Sequence, residues 1–157
     1  MTVRIPKADY MIEETADEWI FNLKSPSEIV SPIYLSEEEM NDAVTGSKIL
    51  ECHIILGDKV ISTAKKYQKI VKDIWDAIPL EDVHTHSTYT FFSKEYQDAL
   101  PKGDKRNQHL PLNLYFRSKN SEGAFEEILK MVKHYQMTLE MTIVLDDAGH
   151  SIRYFKC

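Results

Sequence analysis

The chain is poor in the residues that staple, hinge or span. It has two cysteines in 157 residues, Cys52 inside an apolar run and Cys157 at the last position. Two thiols so placed give no disulfide framework, so the expected compartment is a reducing cytoplasm. Any metal site then has to be built from histidines and carboxylates. Five glycines are scattered along the chain, which excludes a glycine-rich loop of the phosphate-cradling kind. The apolar runs fall far short of the roughly 18 residues of a membrane span, so no membrane partner is expected. The first residues, Met1 to Asp9, hold no apolar stretch of a secretory signal. No repeat period and no low-complexity segment stands out. Basic residues are outnumbered, 19 against 25 acidic ones, for a net charge of −6. That balance argues against non-specific nucleic-acid binding but leaves room for a local basic groove.

What remains is an ordinary globular composition, 43% hydrophobic and 28% charged. The length suits a single domain, 1–157, with enough mass for a real core. Residues 1–32 read as an N-terminal extension, punctuated by Ser25-Pro26 and Ser31-Pro32, with Trp19 to Leu23 as a strand within it. Ser36 with Glu39 three residues later is a capping-box pattern opening a helix that stops near Gly46. Ile49 to Leu56 reads as a buried strand turning at Gly57-Asp58 into Val60-Ile61. It carries Glu51 and His53, which alternation places on one face. Thr63 to Ile78 is the clearest helix: Tyr67, Ile70, Val71, Ile74, Trp75 and Ile78 recur at helical spacing, and Pro79 ends it. Lys65, Lys66, Lys69 and Lys72 are its solvated face. Ser93 to Leu100 reads as a short helix capped by Ser93, residues 101–108 as a polar loop, and Leu110 to Phe116 as a strand. Ala124 to Tyr135 is a second amphipathic helix. Thr138 to Leu145 and Ser151 to Phe155 form a closing hairpin around Asp146-Asp147-Ala148-Gly149. Helices alternating with strands predict an α/β or α+β fold, a mixed β-sheet flanked by helices.

The chemistry concentrates in residues 81–93. Val83, Thr85, Thr88, Tyr89, Thr90, Phe91 and Phe92 favour a strand over 82–92. In an extended backbone His84 and His86 point to the same side, roughly 7 Å apart, a spacing at which two imidazoles can share a metal ion. A catalytic zinc takes three protein ligands and keeps one position for water. Asp82, Glu51, Asp98, His53 and His109 are the candidates for the third.

His84-Thr85-His86, followed by Phe91-Phe92-Ser93 and a short acidic helix, resembles the core of the JAMM (JAB/MPN) metalloproteases. The strand around Glu51, ending at Gly57, resembles the family's glutamate-bearing strand. The resemblance spans about residues 33–117 and is specific around 84–93. It implies a JAMM-like fold and a Zn2+-dependent hydrolase acting on a peptide or isopeptide bond of a protein or peptide substrate. By that resemblance His84, His86 and Asp98 are the metal ligands, Glu51 is the general base and Ser93 steadies the oxyanion. Ser93 stands seven residues after His86 where the family has eight. The family's aspartate position is held here by Gln97, one before Asp98, and Ser87 stands where the family usually has proline. A non-catalytic JAMM-like interaction domain is the alternative. Asp82-Val83-His84-Thr85-His86-Ser87 also resembles the first motif of PHP-type metal-dependent phosphoesterases, in which Asp82 is the acidic partner.

Overall fold

The computed structural model describes residues 10–14, 19–23, 31–104 and 107–157. Packing divides the chain at Pro32 into two units. In the first, β1 (Tyr10–Glu14) and β2 (Trp19–Leu23) form an antiparallel hairpin with Tyr10 opposite Leu23 and Glu14 opposite Trp19. The expected strand at Trp19 to Leu23 is β2.

The second unit, from Ile33 onward, is α+β. It opens with α1 (Glu37–Ala43), whose capping box is complete: the Glu39 amide donates to Ser36 Oγ at 3.2 Å, and the Ser36 amide donates to Glu39 Oε2 at 2.7 Å. Then β3 (Ser47–Leu56) turns at Gly57 (φ 61°) into β4 (Lys59–Ser62). The chain closes with β8 (Thr138–Leu145) and β9 (Ile152–Lys156), the elements between being given below. These four strands form an antiparallel sheet in the order β4-β3-β8-β9. The expected mixed sheet is thus antiparallel along its named strands. Among the described residues, parallel pairing is confined to a bridge between Tyr34 and Tyr154.

A bulge decides which side chains of β3 enter the core. Ile49 faces Ile143 and Glu51 faces Thr142, leaving Leu50 as the extra residue. Strict alternation would put Ile49 on the same side as Glu51. The inserted residue instead sends Ile49, Cys52 and Ile54 into the core, while Glu51 and His53 stay on the open face.

The covered face carries α2 (Tyr67–Ala77) and α5 (Ser121–His134), packed on one another. The apolar stripe of α2 is buried as its spacing predicts, through Tyr67, Ile70, Val71, Ile74 and Trp75. Between the two helices the chain forms α3 (Leu80–His86), β5 (Phe91–Phe92), α4 (Lys94–Ala99), β6 (Asn107–His109) and β7 (Leu114–Phe116). A second antiparallel sheet runs β5-β7-β6. The strand expected over Leu110 to Phe116 is shorter than its sequence suggests. A 3-10 turn takes Leu110–Leu112, and Asn113 breaks the chain with a left-handed φ of 50°. The expected polar loop at 101–108 contributes the start of β6. Trp75 ties the small sheet to α2, its ring meeting Tyr89, Phe91 and Phe116 edge-on at 5.1, 5.4 and 5.3 Å.

Candidate functional site

The segment expected to be a strand over 82–92 is a helix, a turn and the two residues of β5. Pro79, which ends α2, also stands at the start of α3. Its fixed φ suits a helix start. Glu81 and Asp82 in the first turn complement the positive end of the helix dipole. Thr85, a strand-favouring residue, turns its hydroxyl back to the Glu81 carbonyl at 2.8 Å, a bond available only in a helix.

The helical backbone separates the two imidazoles. Residues two apart on a helix lie about 200° apart around its axis. His84 stands edge-on to Phe91, ring centroids 5.2 Å apart. His86 turns to the end of α5, 4.0 Å from the His134 ring and 6.4 Å from that of Tyr135. The Tyr135 hydroxyl donates to Asp82 Oδ2 at 2.9 Å, and burial, with the Asp82 carboxylate beside it, pushes that phenol up to about 12.

The remaining residues singled out by the sequence are not brought to this point. Ser93 is the N-cap of α4, its hydroxyl accepting from the Tyr96 amide at 3.1 Å. Asp98 lies on the exposed side of α4, 2.6 Å from Lys94 Nζ, while Gln97 before it turns inward and is buried. Glu51 stands on the open face of the four-stranded sheet, 3.8 Å from His53, on the opposite side of β3 from the helices. His109 is buried under Trp75 and bonded to Asp76 Oδ1 at 2.7 Å. Among the described residues no group of three His, Cys, Asp or Glu side chains is placed to hold a metal ion.

What organises this region instead is Glu127 of α5, fully buried. Its Oε1 accepts from Trp75 Nε1 at 3.0 Å and from the Ser87 hydroxyl at 2.6 Å. Its Oε2 accepts from the Thr88 amide at 2.6 Å and the Thr88 hydroxyl at 2.7 Å. Lys119 Nζ in turn donates to Thr88 Oγ1 at 2.8 Å and lies over the Tyr89 ring. A buried carboxylate is tolerated when its oxygens are met in this way. The sequence did carry a sign of it. Ala124, Glu127 and Met131 fall at i, i+3 and i+7 on one side of the helix, which makes Glu127 a carboxylate in a row of core positions. The dyad of His109 and Asp76 carries no comparable sign, because its two members are 33 residues apart.

No family model, no curated protein and no solved structure matches the chain.

Proposed function

We propose that this chain is a non-catalytic interaction domain in which the His84-Thr85-His86 segment is a structural joint rather than a zinc centre. The observation that carries this reading is the grip of Glu127 on Ser87 and Thr88. It fixes the residues immediately after the histidine pair and ends α3 there. With the helix so placed, His84 and His86 diverge towards Phe91 and His134. The supposed third ligand is held by Lys94, and the supposed general base lies across the sheet. A metal-activated water needs its ligands and base around one point, and the spread of these residues supports the structural reading.

The test is the metal content of the full chain purified at neutral pH without chelator, measured by plasma mass spectrometry for the native protein and for His84→Ala, His86→Ala and His134→Ala. The expected result is far less than one zinc per chain, unchanged by any of the three substitutions. Stoichiometric zinc lost in both His84→Ala and His86→Ala would overturn the proposal and restore the hydrolase reading. Zinc lost in His86→Ala and in His134→Ala but kept in His84→Ala would also overturn it, by placing the metal on the stacked pair instead.

A further inference from the structure

Within the unit from Ile33 onward, α2 and α5 cover one face of the four-stranded sheet, and among the described residues the other face is left open. Alternation and register set out what it presents. Glu51 of β3, Thr142 of β8 and Tyr154 of β9 stand side by side across three strands, and Tyr34 extends the row through its bridge to Tyr154. One step along the strands in one direction, Val144 lies beside Ile152. One step in the other direction, Glu140 lies between His53 and Lys156. The rows of Glu51 and Glu140 line a hollow of about 290 Å3. That is under the 300–1,000 Å3 typical of small-molecule sites and suits one side chain of a larger partner.

The charges of this hollow are unbalanced. Lys156 holds Glu140 at 3.0 Å. The Glu51 side chain is 66% exposed, and among the described residues its ionic neighbour is His53, 3.8 Å away and charged only when protonated. The hollow therefore carries one carboxylate without a fixed cation, on a chain of net charge −6. In the same wall stand the phenol rings of Tyr34 and Tyr154, centroids 5.7 Å apart and planes tilted by 38°. Rings this close leave no slot between them, which excludes the aromatic cage that surrounds a methylated ammonium. Tyr34 is 63% exposed, so part of its ring meets solvent instead of Tyr154. A carboxylate beside an exposed phenol face matches a guanidinium, which is planar, bonds carboxylate oxygens in pairs and stacks on aromatic rings. A lysine ammonium has no such plane and is more strongly hydrated. An exposed ion pair alone contributes little, so the rings and the neighbouring apolar row have to supply the rest.

We infer that the open face docks an extended segment of a partner protein, with an arginine of that segment bonded to Glu51 and stacked against the tyrosine pair, and an aliphatic residue two positions away resting on Val144 and Ile152. The spacing supports this pairing. Same-side residues of an extended chain recur about every 7 Å, and the row of Tyr154 and the row of Ile152 are likewise two residues apart along β8 and β9. Ile152 is 48% exposed and Val144 is half-buried, so that row offers an apolar step beside the carboxylate. The negative charge of the whole chain steers a basic segment towards it. The inference rests on the reading of the chain as an interaction domain and names the surface through which it acts.

The probe is a blocked peptide, acetyl-Gly-Arg-Gly-Val-Gly-amide, titrated into the isotope-labelled full chain and followed by its backbone amide shifts. The shifts should centre on Glu51, Thr142 and Tyr154 and saturate with a Kd of about 0.1–1 mM. Lysine in place of the arginine should weaken binding about threefold. Citrulline, which keeps the shape without the charge, should weaken it about tenfold. Glycine in place of the valine should cost about threefold. On the protein, Glu51→Lys should weaken binding about tenfold and Tyr34→Ala about threefold, with the amide spectrum away from this face unchanged. No saturation up to about 10 mM, shifts centred elsewhere, lysine binding as well as arginine, binding indifferent to Glu51→Lys, or acetyl-arginine amide binding as tightly as the peptide would each overturn the inference. Shifts of the same amides on diluting the chain without peptide would overturn it by giving the face to a second copy. The titration touches neither His84 nor His86, so it can fail while the metal measurement stands, and the reverse.

Discussion

Replacing Glu127 with glutamine should destabilise the domain even though the two side chains have nearly the same shape. Each carboxylate oxygen accepts one rotatable hydroxyl and one fixed N–H: Ser87 Oγ with Trp75 Nε1 on one oxygen, Thr88 Oγ1 with the Thr88 amide on the other. A glutamine must turn its NH2 towards one of these pairs. The hydroxyl there can rotate and accept, but the indole or the backbone N–H cannot. Either amide orientation therefore leaves one buried donor facing another. That is a loss of about 2 kcal/mol, made of one charge-assisted bond and one orphaned donor. Glu127→Ala removes all four acceptor contacts and leaves a void, for a cost of about 4 kcal/mol. Urea unfolding followed by tryptophan fluorescence measures both. With a urea slope of about 1–3 kcal/mol per molar, the glutamine variant should shift the midpoint down by about 1 M and the alanine variant by about 2 M. In the Glu127→Gln background, Trp75→Phe should cost less than it does in the native chain, because it removes one of the clashing donors. A glutamine variant within about 0.5 kcal/mol of native would refute the claim that this carboxylate holds the segment after the histidines.

Two other outcomes follow from the geometry. Gly57 turns β3 into β4 at φ 61°, so Gly57→Ala should cost about 1 kcal/mol in thermal unfolding through backbone strain alone, since nothing crowds the added carbon. Gly46→Ala, equally uncrowded and without a left-handed φ, should be close to neutral. Burial, reinforced by Asp73, raises the Cys52 thiol from 9.0 to about 12, so in the native protein it should resist thiol reagents that label the half-buried Cys157 and react only on unfolding. The same shift, with that of Tyr89 from 10.0 to about 12 by burial, fixes the sign of the alkaline response. The folded chain keeps protons that the unfolded chain releases, so the melting temperature should fall as pH rises from about 9 towards 12.

The elements legible in the sequence are those whose cause is local. The capping box at Ser36 and Glu39 lies within four residues, and both its bonds are present. The stripes of α2 and α5 are periodicities, and burial follows them residue by residue. The turns at Gly57 and at 146–149 are compositions of adjacent residues, and both hairpins form there. The alternation that put Glu51 and His53 on one face holds, because the bulge at Leu50 lies before both. Tyr67 was legible as a stripe residue but its hydroxyl was not, since whether a buried polar atom finds a partner depends on groups brought together only by the fold.

The histidine segment shows why the remainder was hidden. Seven strand-favouring residues between Val83 and Phe92 outweigh two helix signals: Pro79, visible only as the end of α2, and the acidic pair Glu81 and Asp82. A seven-residue helix is too short to be stable alone. Its existence therefore rests on contacts from outside: Val83 in the core, His86 against His134, and above all Glu127, which lies 39 and 40 residues beyond the two residues it holds. Those bonds require the half-buried Ser87 and Thr88 to reach Glu127 beside Trp75, and a strand running straight from Asp82 to Phe92 cannot bring both there while sending His84 and His86 together to the opposite side. Strand propensity is a statement about side chains on a pleated, half-buried surface. Here that surface is only two residues long, Phe91 and Phe92 against Phe116 and Tyr115. The pattern that put the two histidines on one face was a backbone assumption, and one buried carboxylate in a distant helix is enough to replace it.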